Sequence, residues 1–210
     1  MRKEQKANYP ESARGAAALL VRMVLEDGAY TNIALNQYLR GSRLSDLDRR
    51  LATELVYGTV KASGTLDWYL AQCVSRPLDK VAGDILAILR ISTYQLLYMT
   101  RIPASAAVNE AVKLARSVSH EGSAKFVNGV LRGLLRKQEA GAFVLPDAEK
   151  QDADYLSLKY YHPRWLVKRW LGPWGRGGTE RLLAFDNTAA PVCLRANTLV
   201  TTRDKLLADL

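Results

Sequence analysis

Cysteine and histidine are both scarce, with two of each in 210 residues. Cys73 and Cys193 lie far apart and, like His120 and His162, fall in no metal-ligand spacing. Neither a zinc site nor a disulfide framework is expected, and the thiols read as the reduced ones of a cytoplasmic protein. A long uncharged apolar run is also missing. The most apolar stretch, residues 81–99, contains Asp84, Arg90 and Gln95, which argues against a membrane span. The first residues, Met1-Arg2-Lys3-Glu4-Gln5-Lys6, are followed by no apolar segment and are unlike a signal peptide. There is no internal repeat, no low-complexity tract, and no strand-like alternation before residue 138.

Acids are the other shortage. Thirty Lys and Arg stand against 21 Asp and Glu, a net charge of +9. A surface this basic concentrates polyanions. Nucleic acid is the first candidate partner and an anionic membrane surface the second. A solubilising charge with no partner is the third reading.

What is present is helical periodicity. Ala16, Leu19, Leu20, Met23 and Val24 form one apolar face over residues 12–27, closed by Gly28. Residues 31–40 predict a second helix. Ser45-Asp46-Leu47-Asp48 resembles a capping box, with Leu47, Leu51 and Leu55 down one side of the helix that follows. A shorter helix is expected over residues 65–74, ending near Pro77. Residues 81–98 are apolar nearly all round, the pattern of a buried central helix. Pro103 suits the first position of the next helix, where Ala104, Ala106, Ala107, Ala111 and Ala115 would permit close approach. In residues 122–137, Val127, Val130, Leu131 and Leu134 would face inward.

The expected organisation is a flexible N-terminus over 1–11, an all-helical domain over 12–138, and a linker over 139–152. Short helices are then expected around 154–160, 164–171 and 179–185, the last two separated by the turn at Gly172-Pro173-Trp174-Gly175. Residues 191–197 alternate with period two and predict a strand, followed by a helix from 201. The predicted fold class is therefore mainly α: a helical bundle, a helical connector, and the first strand and helix of a truncated α/β domain.

Among candidate sites, Cys73 reads as a small core hydrophobe and His162 as a loop residue. Gly172, Gly175, Gly177 and Gly178 follow a helix rather than a strand, so they suit a turn better than a phosphate-cradling loop. Trp68, Tyr69, Tyr94 and Tyr98 suit packing, and Asn109, Glu110 and Asn128 suggest a buried polar network. The basic residues carry more information. Arg14 and Arg22 fall away from the apolar stripe of the first helix. Lys125, Arg132 and Arg136 fall within roughly 40° of one another on the last bundle helix, opposite its apolar face, with Gly129 on the same side. Lys61 is a marginal addition. Residues 101–138 hold seven bases and two acids. Two readings stay open: a stripe that tracks phosphates, or a face that is merely solvated or paired with an acid such as Glu110.

Several runs together resemble one family. DRRLATELVYGTVKASGTLDWY (48–69), LRISTYQLLY (89–98), IPASAAVNEAVKLAR (102–116) and KFVNGVLRGLLR (125–136) look like the helices of the antitermination factor NusB and its relatives. HPRWLVKRWLG (162–172) and FDNTAAPVCLRANT (185–198) are similar to the segment that joins a NusB-like domain to the catalytic body in the RsmB/Sun (Fmu) family. The resemblance implies a NusB-like bundle of about seven helices that binds RNA. It also implies a longer protein that transfers a methyl group from S-adenosylmethionine to C5 of a cytosine in small-subunit ribosomal RNA. The implied partners are that RNA and the protein's own catalytic domain. The family's cofactor loop and Pro-Cys nucleophile have no counterpart here: Val192 separates Pro191 from Cys193, so Cys193 reads as structural. No catalytic, cofactor-binding or metal-binding residue is expected in this chain. A stand-alone NusB-type factor is an alternative, against which residues 160–198 speak. A helical protein-interaction module that binds no RNA is another.

Overall fold

The computed structural model describes residues 8–210. Six helices form the bundle, one fewer than the seven expected: α1 (Ala13–Leu25), α2 (Thr31–Gly41), α3 (Asp46–Ala71), α4 (Gly83–Tyr98), α5 (Ala104–Val118) and α6 (Glu121–Glu139); α7 (Asp152–Tyr160) follows. A 3-10 turn, Leu78–Lys80, lies between α3 and α4; α8 (Arg164–Asp186) and α9 (Arg203–Ala208) complete the chain. No strand occurs among the described residues.

The bundle is organised around α4, which packs against α1, α3, α5 and α6. Its apolar circumference explains this: Ile85, Ala87, Ile88, Leu89 and Ile91 are all buried, and each isoleucine or leucine side chain contributes about 2 kcal/mol on leaving water. Ala107, Ala111 and Ala115 give α5 a thin buried edge, whereas Ala104 and Ala106 are exposed. Ser45 caps α3 by accepting from the Asp48 N–H at 3.2 Å. The expected flexible N-terminus lies outside the described residues over 1–7. Its described part is tied down: the Tyr9 hydroxyl donates to Asp84 at 2.6 Å, and Glu11 accepts from the Arg43 N–H.

Several further expectations are corrected. Residues 46–71 form one helix, not two. Gly58 and Gly64 weaken the local helix propensity, but packing along the whole length of α3 outweighs it. A Cβ at Gly58 would fall 2.1 Å from Tyr94 Cζ, so the glycine admits the Tyr94 ring. Leu47 is 77% exposed, because the buried side of α3 runs through Ala52, Leu55, Val56 and Thr59 and Leu47 falls to one side of it. Asn109 is exposed, and Glu110 pairs with Lys113, so no buried network joins Asn109, Glu110 and Asn128. Finally, residues 191–197 form no strand. A strand exists by pairing its backbone groups with a neighbour, and among the described residues none runs beside it.

Residues 164–186 form a single bent element where two helices and a turn were expected. The bend falls at Gly175, whose φ of 60° and ψ of −179° are non-helical, two residues after Pro173. Glycine alone meets that conformation without strain. A second, smaller core of Ala153, Leu156, Val167 and Leu183 holds α7 to α8. This unit is fastened to the bundle. The Thr65 hydroxyl donates to the Leu158 carbonyl at 2.9 Å, and the Tyr98 and Tyr161 rings meet edge to face at 5.6 Å. Tyr161 caps α7 in the left-handed region. Phe143, within the expected linker, packs its ring against Tyr69 at 4.7 Å and lies near Trp68, so these aromatics are packing residues.

Candidate nucleic-acid interface

The six basic residues singled out in the sequence do not share one surface. Arg14 is half-buried, and its Nε donates to Oε1 of the buried Gln95 at 2.8 Å. Arg22 is also half-buried and lies 3.3 Å from Asp84 and 3.4 Å from Asp27. Burial, and then its hydrogen bond to Asp84 with that carboxylate's charge, push the Tyr9 hydroxyl well above the usual phenol range. Lys61 is exposed, but it lines a groove beside Ser157, His162 and Arg164, away from α6. Moreover, α1 packs on α2, α3 and α4, whereas α6 packs chiefly on α5 and α4.

Lys125, Arg132 and Arg136 are exposed along one ridge of α6. The opposite face, Ala124, Val127, Val130, Leu131 and Leu134, is buried, so the core fixes the ridge outward. Between Glu121 and Glu139 the helix contains no acid. Arg132 Nε donates to Asn128 on the same ridge at 3.0 Å, which holds the guanidinium along the helix. Glu121 is engaged by Arg116, whose hydrogen bonds hold its carboxyl below the usual range. Glu110 is likewise held low, first by its hydrogen bond from Lys113, and neutralises no α6 cation.

One flank of the ridge opens into shallow grooves that the sequence did not announce. Gln72, Cys73, Gly129, Gly133, Arg136 and Lys137 line the first, of about 350 Å³. A side chain at Gly129 would meet nothing within 4 Å, so the α6 backbone is open to an incoming group. Lys137 Nζ donates to the Gln72 carbonyl at 2.6 Å, and burial raises the Cys73 thiol above its usual value. Arg76, Lys80, His120 and Phe126 line the second groove. The Arg76 guanidinium lies 4.7 Å from the centroid of the Phe126 ring. Arg76 and Lys80 thus extend the cationic border of α6. Sequence reasoning missed them because they sit in a connection, where no helical period marks which side chains share a face.

Among the described residues no group of His, Cys, Asp or Glu could hold a metal ion, and no helix is long and apolar enough to cross a membrane. Cys193 is exposed.

The NusB family model matches residues 11–136, which is the bundle and more than half of the chain. The chain belongs to the NusB family. A second match extends beyond what NusB covers: residues 162–210 match the ferredoxin-like domain of the RsmF/B-like methyltransferases. The chain is 39% identical to a probable ribosomal RNA small subunit methyltransferase B of Synechocystis, over 95% of this chain and 44% of that protein. It is 34% identical to the protein of the same name in Bacillus subtilis, over 93% of this chain and 43% of that one. It therefore spans less than half the length of these relatives. The crystal structure of PH0851 shares the fold at a TM-score of 0.65 and 20% identity, over 98% of this chain and 45% of that one. The antitermination factor NusB, solved with NusE and double-stranded RNA, matches at 0.55 and 20% identity, over 60% of this NusB-family chain and 95% of that one.

Proposed function

We propose that this chain is the RNA-binding N-terminal region of an S-adenosylmethionine-dependent ribosomal RNA cytosine-C5 methyltransferase of the cytoplasm, and that it positions small-subunit ribosomal RNA for a catalytic domain beyond residue 210. The observation that carries this is the order of the two matched segments. A NusB bundle is followed by an RsmF/B-like ferredoxin-like segment, as in relatives named ribosomal RNA small subunit methyltransferase B. That second segment speaks against a stand-alone antitermination factor. The cofactor and the chemistry belong to the rest of the longer protein.

Within the bundle, Lys125, Arg132 and Arg136 are the RNA contacts, bordered by Arg76 and Lys80. The planar guanidinium of arginine matches pairs of phosphate oxygens, and contacts of this kind orient the RNA backbone while reading little sequence. Arg14 and Arg22, already engaged inside the protein, contribute through the fold, and Lys61 contributes at the margin. Binding of the chain to a ribosomal RNA hairpin, measured at several salt concentrations, tests this. Replacing Arg132 and Arg136 together with alanine is expected to weaken binding and to lower the salt slope by about one to two units, each lost phosphate contact removing roughly 0.7–0.9. Identical affinity and slope in the variant would make the ridge a solvated face and favour a protein-interaction role for the bundle.

A further inference from the structure

We infer that the outer face of α8 ahead of its bend is a second RNA contact, at which an unpaired nucleotide stacks on Trp165 while Lys168 and Arg169 hold the adjoining phosphates. The surface is separate from the α6 ridge and is built from different residues.

Helical spacing brings Trp165, Lys168, Arg169 and Gly172 to one side of α8. All four are exposed, and Val167 on the opposite side is buried in the small core. Trp165 is 65% exposed. The other three tryptophans are engaged with rings: Trp68 with Tyr69, and Trp170 with Trp174. Trp165 has no ring partner among the described residues. The face therefore presents a bare indole plane together with two cations.

Charge decides what the occupant is. Residues 155–179 contain Lys159, Arg164, Lys168, Arg169 and Arg176, and no acid. Lys159 and Arg164 are paired, with Glu180 and Asp154 respectively. Among the described residues Lys168 and Arg169 make no ion pair. A surface of unpaired cations around a bare aromatic plane complements a polyanion that carries flat apolar rings, which is single-stranded nucleic acid. Every base has a π-face, so stacking tolerates any sequence, while the cations supply a salt-dependent hold on the backbone. Gly172, one turn beyond the cations, adds no side chain to that end of the face. A duplex would not suit the site, because its bases are already stacked on one another and only splayed nucleotides reach a side chain.

The test uses the 210-residue chain with an eight-nucleotide oligouridylate and, separately, a twelve-base-pair RNA duplex, followed by fluorescence anisotropy and by quenching of tryptophan emission. The single strand is expected to quench, and Trp165→Ala to weaken its binding about tenfold while changing duplex binding little. Trp165→Phe retains a stacking face and is expected to restore most of the affinity. Lys168→Ala with Arg169→Ala should lower the salt slope for the single strand. The Arg132→Ala, Arg136→Ala variant serves as the independent control on the bundle: loss of its effect alone would count against the α6 ridge and leave this inference standing. Unchanged single-strand affinity in Trp165→Ala overturns the inference. So does a longer protein in which acrylamide cannot reach Trp165 without RNA present, since the face would then be covered by polypeptide.

Discussion

Gln95 is a polar side chain in the middle of an apolar helix, 2% exposed. Its Nε2 donates to the Ile91 carbonyl at 3.1 Å, and its Oε1 is met by Arg14 Nε. Removing that guanidinium leaves a buried acceptor unpaired, a loss of about 1–3 kcal/mol. Arg14→Ala is therefore expected to lower the urea midpoint of the chain clearly. Weakened RNA binding without any loss of stability would instead place Arg14 on the RNA surface. The same residue shows what helical phase can and cannot reveal. The period put Arg14 outside a stripe of Ala16, Leu19, Leu20, Met23 and Val24, yet Ala17, Ala18 and Val21 on Arg14's own side of α1 are fully buried. It could not show that α4 passes along that flank and carries an acceptor for it, because the acceptor lies 81 positions away in the chain. On α6 the same phase argument left Lys125, Arg132 and Arg136 exposed, since no neighbouring helix crosses that ridge.

At the scale of elements, α3 and α4 are joined by more than apolar packing. Arg90 Nε and Nη2 donate to the two carboxylate oxygens of Asp67, each at 2.8 Å, with the Arg90 side chain 11% exposed. A fork of this kind fixes the rotation of one helix against the other. Asp67→Ala should destabilise by about 2–4 kcal/mol, because it strands a nearly buried guanidinium. Asp67→Leu combined with Arg90→Met should recover much of that, and thermal melts of the three proteins compare them. If the double variant is no better than the single one, the pair contributes directly rather than through the cost of the orphaned charge. Elements whose apolar faces repeat with a helical period were legible in the sequence. The uninterrupted course of α3 was not, because it depends on what packs against Gly58. The bend in α8 was legible only as a turn, since Pro173 and Gly175 mark a break without showing that helix resumes at once on the far side. The strand expected over 191–197 carries the right alternation, but pairing is a property of two segments.

At the scale of the whole molecule, exposed apolar side chains gather at one end of the chain. Phe185, Val192, Leu194, Leu199, Val200 and Leu207 all lie in solvent, beyond the small core of α7 and α8. Exposed apolar segments with unpaired backbone associate readily. A shortened protein ending at residue 140 is expected to stay monomeric at concentrations where the 210-residue chain forms larger species, and light scattering at matched concentration compares them. Equal behaviour would mean that this end is adequately solvated. The attachment of α7 to the bundle, through Leu158 to Thr65 of α3 and through Tyr161 to Tyr98 of α4, also bears on how far apart bound partners can wander. A loose tether would let an RNA held on the bundle explore a wide volume, and the effective concentration it presents to anything downstream would fall with tether length. Here the tether is short-circuited: the chain leaves α6, folds back, and is bolted to the bundle before α8 begins. The first part of α8, held to α7 by the small core, therefore inherits a fixed bearing from the bundle, and the entropy of aligning the two has already been spent in folding.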